Sequence, residues 1–176
     1  MQRKNFVSKS LLSIFQYKIT DSVMDQQIIK IIDDYGDRQN HKTNVKAQMT
    51  EWQMWHEFGF KELANIVLNL SKEISIIKYN KSIEPVLVDI WGMKYKSEDF
   101  ALLHDHWPSL WSFVYYVNSP EGAPGLFFPE IEKEIKIEPG FLIFFEGHVK
   151  HSVKSTKFKD FRYVVSGNIK ERLNNL

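Results

Sequence analysis

Apolar and polar residues alternate along this chain in two rhythms, and the change falls at Pro85. Ahead of it, "DSVMDQQIIKIIDDYG" gathers Val23, Ile28, Ile29, Ile31 and Ile32 towards one side of a helix. Ser22 with Asp25 resembles a capping box, and Gly36 follows the last turn. "FKELANIVLNLSKEISIIKY" (60–79) repeats Leu63, Ile66, Val67, Leu70, Ile74 and Ile77 at spacings of three and four. Both stretches predict amphipathic helices. A short strand is expected before them, at 10–19. The stretch 40–59 is polar and then aromatic without a clean period, and is expected to be a long surface excursion.

From Pro85 the period becomes that of strands. The runs 85–92, 100–106, 111–118, 125–129, 134–139, 141–146, 150–155 and 161–169 are separated by Gly, Pro, Asn, Ser or charged residues. Eight short strands behind two helices predict a mainly β fold with α support: a double-stranded β-helix, or jelly-roll barrel, with the N-terminal helices over one outer sheet. No repeat or linker divides the chain. A single domain is expected over 1–176, with helical support and a first strand in 1–84 and the jelly-roll core with its site in 85–170.

Composition narrows the partners. Lys+Arg 23 against Asp+Glu 22 leaves a formal charge of +1, so no field of one sign attracts nucleic acid or anionic lipid, and neither is expected as a partner. Cysteine is absent, which removes disulfides, thiolate metal ligands and a thiol nucleophile. The N-terminal apolar patch is shorter than a signal-peptide core, and no stretch reaches the ~18 apolar residues of a membrane span, so a soluble, cytoplasmic protein is expected.

Two of the six histidines stand one residue apart in "LLHDHWP". On a strand, His104 and His106 would project to one face and Asp105 to the other, so the pair could chelate a divalent ion. His151, on the next-to-last predicted strand, is where an antiparallel barrel could return a third imidazole; His148, in the "EGHV" turn, reads as loop or outer shell. Imidazoles without sulfur suit Fe(II), Mn or Zn. Arg162 opens the last strand, Ser166 follows on the same face, and Tyr116 could add a hydroxyl from a facing strand. Together they would grip the far end of a small dicarboxylate. Alternatively, Arg162 pairs with a neighbouring acid such as Asp160.

The segments "HDH" (104–106), "FVYYV" (113–117), "GLFF" (125–128), "PGFLIFFEGHVKHSV" (139–153) and "RYVVS" (162–166) resemble, in order and spacing, the Fe(II)/2-oxoglutarate-dependent oxygenases of the prolyl-hydroxylase-like branch. The resemblance implies that His104 and His151 ligate iron and that Arg162, Tyr116 and Ser166 bind the far carboxylate of 2-oxoglutarate. It also implies that decarboxylation of this co-substrate with O2 drives hydroxylation of a peptidyl or small-molecule C–H bond. His106 stands where the family carries an acid. It is either a third neutral ligand or one whose absence leaves two histidines and water; in another register His106 is the first ligand and His104 an outer residue. A cupin-like three-histidine dioxygenase without 2-oxoglutarate, and a non-enzymatic metal- or ligand-binding barrel, are the competing readings. Trp91 and Tyr95 could lean into the site. Phe113, Tyr115, Phe127 and Phe144 could line the pocket or pack the sheet, and Trp52, Trp55, His56 and Phe58 could form a lid or pack the helices.

Overall fold

The computed structural model describes residues 3–7, 12–36 and 43–172. Two strands, β1 (Arg3–Val7) and β2 (Ser13–Lys18), precede helix α1 (Ser22–Tyr35). Two short strands, β3 (Val45–Lys46) and β4 (Gln48–Met49), and a single 3-10 turn at Met54–His56 lead into helix α2 (Phe58–Tyr79). The rest is β: β5 (Pro85–Tyr95), β6 (Phe100–His104), β7 (Trp111–Tyr116), β8 (Leu126–Phe128), β9 (Lys133–Ile135), β10 (Phe141–Glu146), β11 (His151–Val153) and β12 (Arg162–Glu171). All eight runs expected after Pro85 carry a strand. They form the expected jelly roll, with a larger sheet in the order β1-β2-β10-β7-β12-β5-β4 and a smaller one in the order β3-β6-β11-β8-β9.

The larger sheet is covered on both faces, and strand parity decides which side chain goes where. Trp111, Phe113 and Tyr115 of β7, Leu142 and Phe144 of β10, and Val165 and Ile169 of β12 pack with Met24, Ile28 and Ile32 of α1 and Leu63, Val67, Leu70 and Ile74 of α2. Their neighbours of opposite parity, Val114, Tyr116, Ile143, Phe145 and Val164, join Trp91, Met93 and Tyr95 of β5 inside the barrel. Double coverage explains why "WSFVYYV" and "FLIFFE" read as nearly unbroken apolar runs. At Gly92 a Cβ would lie 2.4 Å from Ile32 and 3.0 Å from Phe60, so the helices meet β5 at a position only glycine leaves open. Among the described residues no helix is long and apolar enough to cross a membrane.

Several expectations are corrected. The stretch 43–59 is no free excursion (40–42 lie outside the described residues). β3 pairs with β6 and β4 with β5, so the segment ties into both sheets. Buried Thr50 anchors it, its hydroxyl accepting from Gly92 N at 2.9 Å. Trp55 and Phe58 are exposed rather than packing the helices. The strand expected at 10–19 is β2, residues 10 and 11 lying outside the described residues. The cap of α1 is Asp21, not Ser22: its Oδ1 accepts from Val23 N at 3.1 Å and Met24 N at 3.0 Å. One carboxylate oxygen answering two orphan amides at the positive end of the helix outcompetes the shorter hydroxyl one residue on. We therefore expect Asp21→Ala to lower stability by about 1 kcal/mol and Ser22→Ala to change it by less than ~0.5 kcal/mol, measured by urea denaturation.

Candidate active site

His104, His106 and His151 converge. β6 and β11 pair antiparallel with His104 directly opposite His151, so their rings lie side by side, centroids 4.4 Å apart. β6 ends at His104, so His106 does not share a strand face with it as the sequence suggests. It stands just beyond, held by its backbone N–H on Gly147 O at 2.7 Å, and its ring comes within 5.0 Å of His104 and 5.1 Å of His151. The ligand-capable nitrogens of the three all lie within 4.8 Å of one another, a set that could hold a metal ion. Among the described residues no carboxylate joins them. His148 is exposed in the following turn and takes no part.

Backbone carbonyls choose the tautomers. Nδ1 of His104 lies 2.6 Å from Leu102 O, and Nδ1 of His151 lies 3.0 Å from Val149 O. A carbonyl only accepts, so each Nδ1 carries the proton and each Nε2 keeps its lone pair for a metal. Burial, with the neighbouring His104 second, holds His106 down to about 4; burial, then His104 and His106, holds His151 well below the ordinary value. Both are neutral at pH 7, the state that ligates.

Arg162, Tyr116 and Ser166 share a pocket with the three histidines. On β12 Arg162, Val164 and Ser166 face inward at alternate positions. Tyr116 lies opposite Val164 on the adjacent β7, a neighbouring strand of the same sheet rather than a facing one. Arg162 is 1% exposed. Among the described residues it makes no ion pair, so the alternative pairing with Asp160 is not realised. Its Nη1 donates to Pro124 O at 2.5 Å, its guanidinium stacks on the Tyr95 ring at 4.2 Å, and its Nε has no partner. The Tyr116 hydroxyl and the Trp91 indole N–H are likewise buried without partners. A buried cation with no counter-ion is expensive, and three unanswered polar atoms in one pocket mark a place for a polar ligand.

Trp91 and Tyr95 do lean into this pocket, whereas Phe113, Tyr115 and Phe144 pack beneath the helices and Phe127 lies at the surface under Lys154. Outside the histidines an open cleft continues between Trp52, Gln53, Asp89, Asp105 and Asn168. Trp52 sets its ring edge-on to Trp91 at 4.7 Å, which makes it a wall of this cleft. Sequence reasoning passed over Asp89 and Asn168. Their signal was parity: in "DIWGMKY" Asp89 shares a face with Trp91, Met93 and Tyr95, and in "SGN" Asn168 shares one with Ser166.

No family model and no curated protein matches the chain. Solved structures do. A viral collagen prolyl hydroxylase from Paramecium bursaria Chlorella virus-1, determined as a 2OG complex, superposes with a TM-score of 0.66 at 17% identity over 90% of this chain and 96% of that one. A Pseudomonas putida prolyl-4-hydroxylase gives 0.69 at 15% identity, covering 91% and 93%. A Burkholderia pseudomallei oxidoreductase of the 2OG-Fe(II) oxygenase family gives 0.57 at 12%, covering 88% and 84%. The chain has the fold of these enzymes.

Two outcomes are expected. The unfolded chain protonates its histidines near pH 6.5, while the folded chain resists until about 4 at His106, so metal-free protein should lose stability as pH falls through that window. His106 contributes on the order of 3 kcal/mol, and calorimetric melting of His106→Gln between pH 7 and 4 should show a flatter decline. At Gly125 a Cβ would lie 2.0 Å from Ile135 O, so Gly125→Ala should displace the adjacent Pro124 carbonyl and loosen Arg162. Its crystal structure would show that shift.

Proposed function

We propose that this protein is a non-heme Fe(II)- and 2-oxoglutarate-dependent oxygenase that hydroxylates a C–H bond of a peptidyl or small-molecule substrate. The observation that carries the reading is the Arg162 guanidinium, buried with no anion beside it among the described residues, in the same pocket as three convergent imidazoles. The residues fit both groups. Three convergent imidazoles suit a divalent first-row ion, and the partnerless Arg162 Nε and Tyr116 hydroxyl suit a carboxylate. The viral prolyl hydroxylase, of the same fold, was determined with 2OG bound, which supports the assignment.

When bound, iron and 2-oxoglutarate supply the activation of O2 coupled to loss of CO2. The protein's share is positioning. His104, His106 and His151 would hold the metal through three neutral ligands, leaving it more positive than a site with one carboxylate. Arg162 has one nitrogen committed to Pro124 O and would offer the rest of its fork to the distal carboxylate, with the hydroxyls of Tyr116 and Ser166 beside it. Tyr95 supports the guanidinium from below, its own hydroxyl pushed up to about 12 by burial, so it stays a neutral platform. Met93, Val114, Leu126 and Val164 keep the pocket dry, which strengthens the charge–charge contact.

The all-histidine set favours a second reading, a three-histidine dioxygenase in which O2 attacks a metal-bound substrate without 2-oxoglutarate. Anaerobic addition of Fe(II) and then 2-oxoglutarate separates them. The first reading expects a weak visible charge-transfer band, and Arg162→Ala should raise the 2-oxoglutarate concentration needed for it about 10- to 100-fold. Absence of the band despite stoichiometric iron overturns the first. His106→Asp, by restoring an acid, should keep metal binding and change the band energy if position 106 ligates.

A further inference from the structure

The outer cleft carries an acid that the oxygenase reading does not use. Asp89 sits on β5 facing inward, two residues before Trp91, at the edge of the cleft that also exposes His104 and His106. A directed chain of hydrogen bonds fixes it. Ser112 Oγ donates to Asn168 Oδ1 at 2.8 Å, and Asn168 Nδ2 donates to Asp89 Oδ1 at 2.8 Å. Both Ser112 and Asn168 are buried. Aligned amides stabilise the carboxylate but bring no positive charge, and Asp89 makes no ion pair among the described residues. Burial outweighs those bonds and the weaker pull of the exposed Lys170, and raises its carboxyl to about 6.

The other side of the cleft is aromatic. Trp52 stands edge-on to Trp91, and Trp91, 5% exposed, lines both the cleft and the inner pocket with its indole N–H unanswered. Asp105 adds a second carboxylate, and among the described residues no Lys or Arg lines the cleft. A desolvated carboxylate beside an aromatic face is the pairing that selects an organic ammonium over a neutral side chain of equal length. The unanswered N–H is a donor left for a carbonyl or carboxylate on the same molecule.

We infer that this cleft admits a substrate bearing a cationic amine, with Asp89 as its counter-ion, Trp52 as its aromatic wall and the Trp91 N–H as the donor to its carbonyl. The inference deepens the oxygenase reading by naming a substrate class, and rests on that reading only for what happens to the C–H bond. Occupants of a purely apolar cleft, prolyl side chains included, would leave Asp89 unpaired.

The test is equilibrium binding of Nα-acetyl-L-lysine N-methylamide, its norleucine analogue and acetyl-proline N-methylamide, by calorimetry on the metal-free chain and again with Mn(II) and 2-oxoglutarate. The lysine probe should bind at least tenfold more tightly than the other two. With Mn(II) present, its side-chain protons should show paramagnetic relaxation. Asp89→Asn should abolish the preference. Gln53→Lys, at an exposed position of the same cleft, should exclude the lysine probe and serves should Asp89→Asn fail to fold. Equal affinity for all three probes, no binding of any, or a preference surviving both substitutions overturns the inference. If the preference appears and follows Asp89 while 2-oxoglutarate gives no charge-transfer band with Fe(II), the cation site stands and the oxygenase reading falls.

Discussion

Everything in this molecule hangs on the larger sheet being buried on both faces. Once α1 and α2 close one side and the smaller sheet the other, each central strand sends alternate residues into two separate interiors. One is a dry interface of aromatic and aliphatic side chains. The other is a barrel whose lining can carry polar groups, because it opens towards the histidines. A one-residue slip of β12 against β7 would put Arg162 and Ser166 under the helices and Tyr163 and Val165 into the pocket. The pairings Val164 with Tyr116 and Arg162 with Tyr95 are therefore conditions of the site as much as of the fold.

The electrostatics follow from that sorting. Burial and the neighbouring imidazoles hold His106 and His151 neutral, so the guanidinium at the inner end and the carboxylates of Asp89 and Asp105 at the outer end are the charges that line the cavity. Among the described residues Arg162 and Asp89 have no partner of opposite sign, and each is held by neutral hydrogen bonds: Arg162 by Pro124 O and Asp89 by Asn168. Buried charges kept this way destabilise the empty protein relative to a neutral isostere. A lining that keeps both makes sense where ligands complete the pairs.

Much of this was legible in the sequence because it obeys short rules. With six histidines in the chain, a pair one residue apart and a third on a later strand form a small enough set to bring together, and period two places Arg162 and Ser166 on one face. What escaped depended on distant contacts. β3 and β4 are two residues each, too short for any periodicity, and exist because β6 and β5 offer them edges. His106 reaches the cluster through a turn held by Gly147, which a strand rule cannot anticipate. Tyr116 was expected across the barrel and lies beside Arg162's strand instead, since strand order is fixed by long-range pairing. Asp89 and Asn168 stand opposite each other in the pairing of β5 with β12, a long-range register that neither strand reveals alone.

The opposite charges at its two ends give the cavity a direction. If ligands enter through the outer cleft, an anion would pass Asp89 and Asp105 before it meets Arg162, and on the inference above a cation would be held at the mouth. On the proposed reading a dianionic co-substrate goes in first, with the metal and Arg162 drawing it inward, and it buries the inner positive charge as it settles. The mouth then faces solvent with its carboxylates uncompensated, so its attraction for an ammonium is greatest once the co-substrate is seated. An ordered sequence, co-substrate before substrate, thus follows from where two side chains of opposite charge sit along one channel, without any moving part.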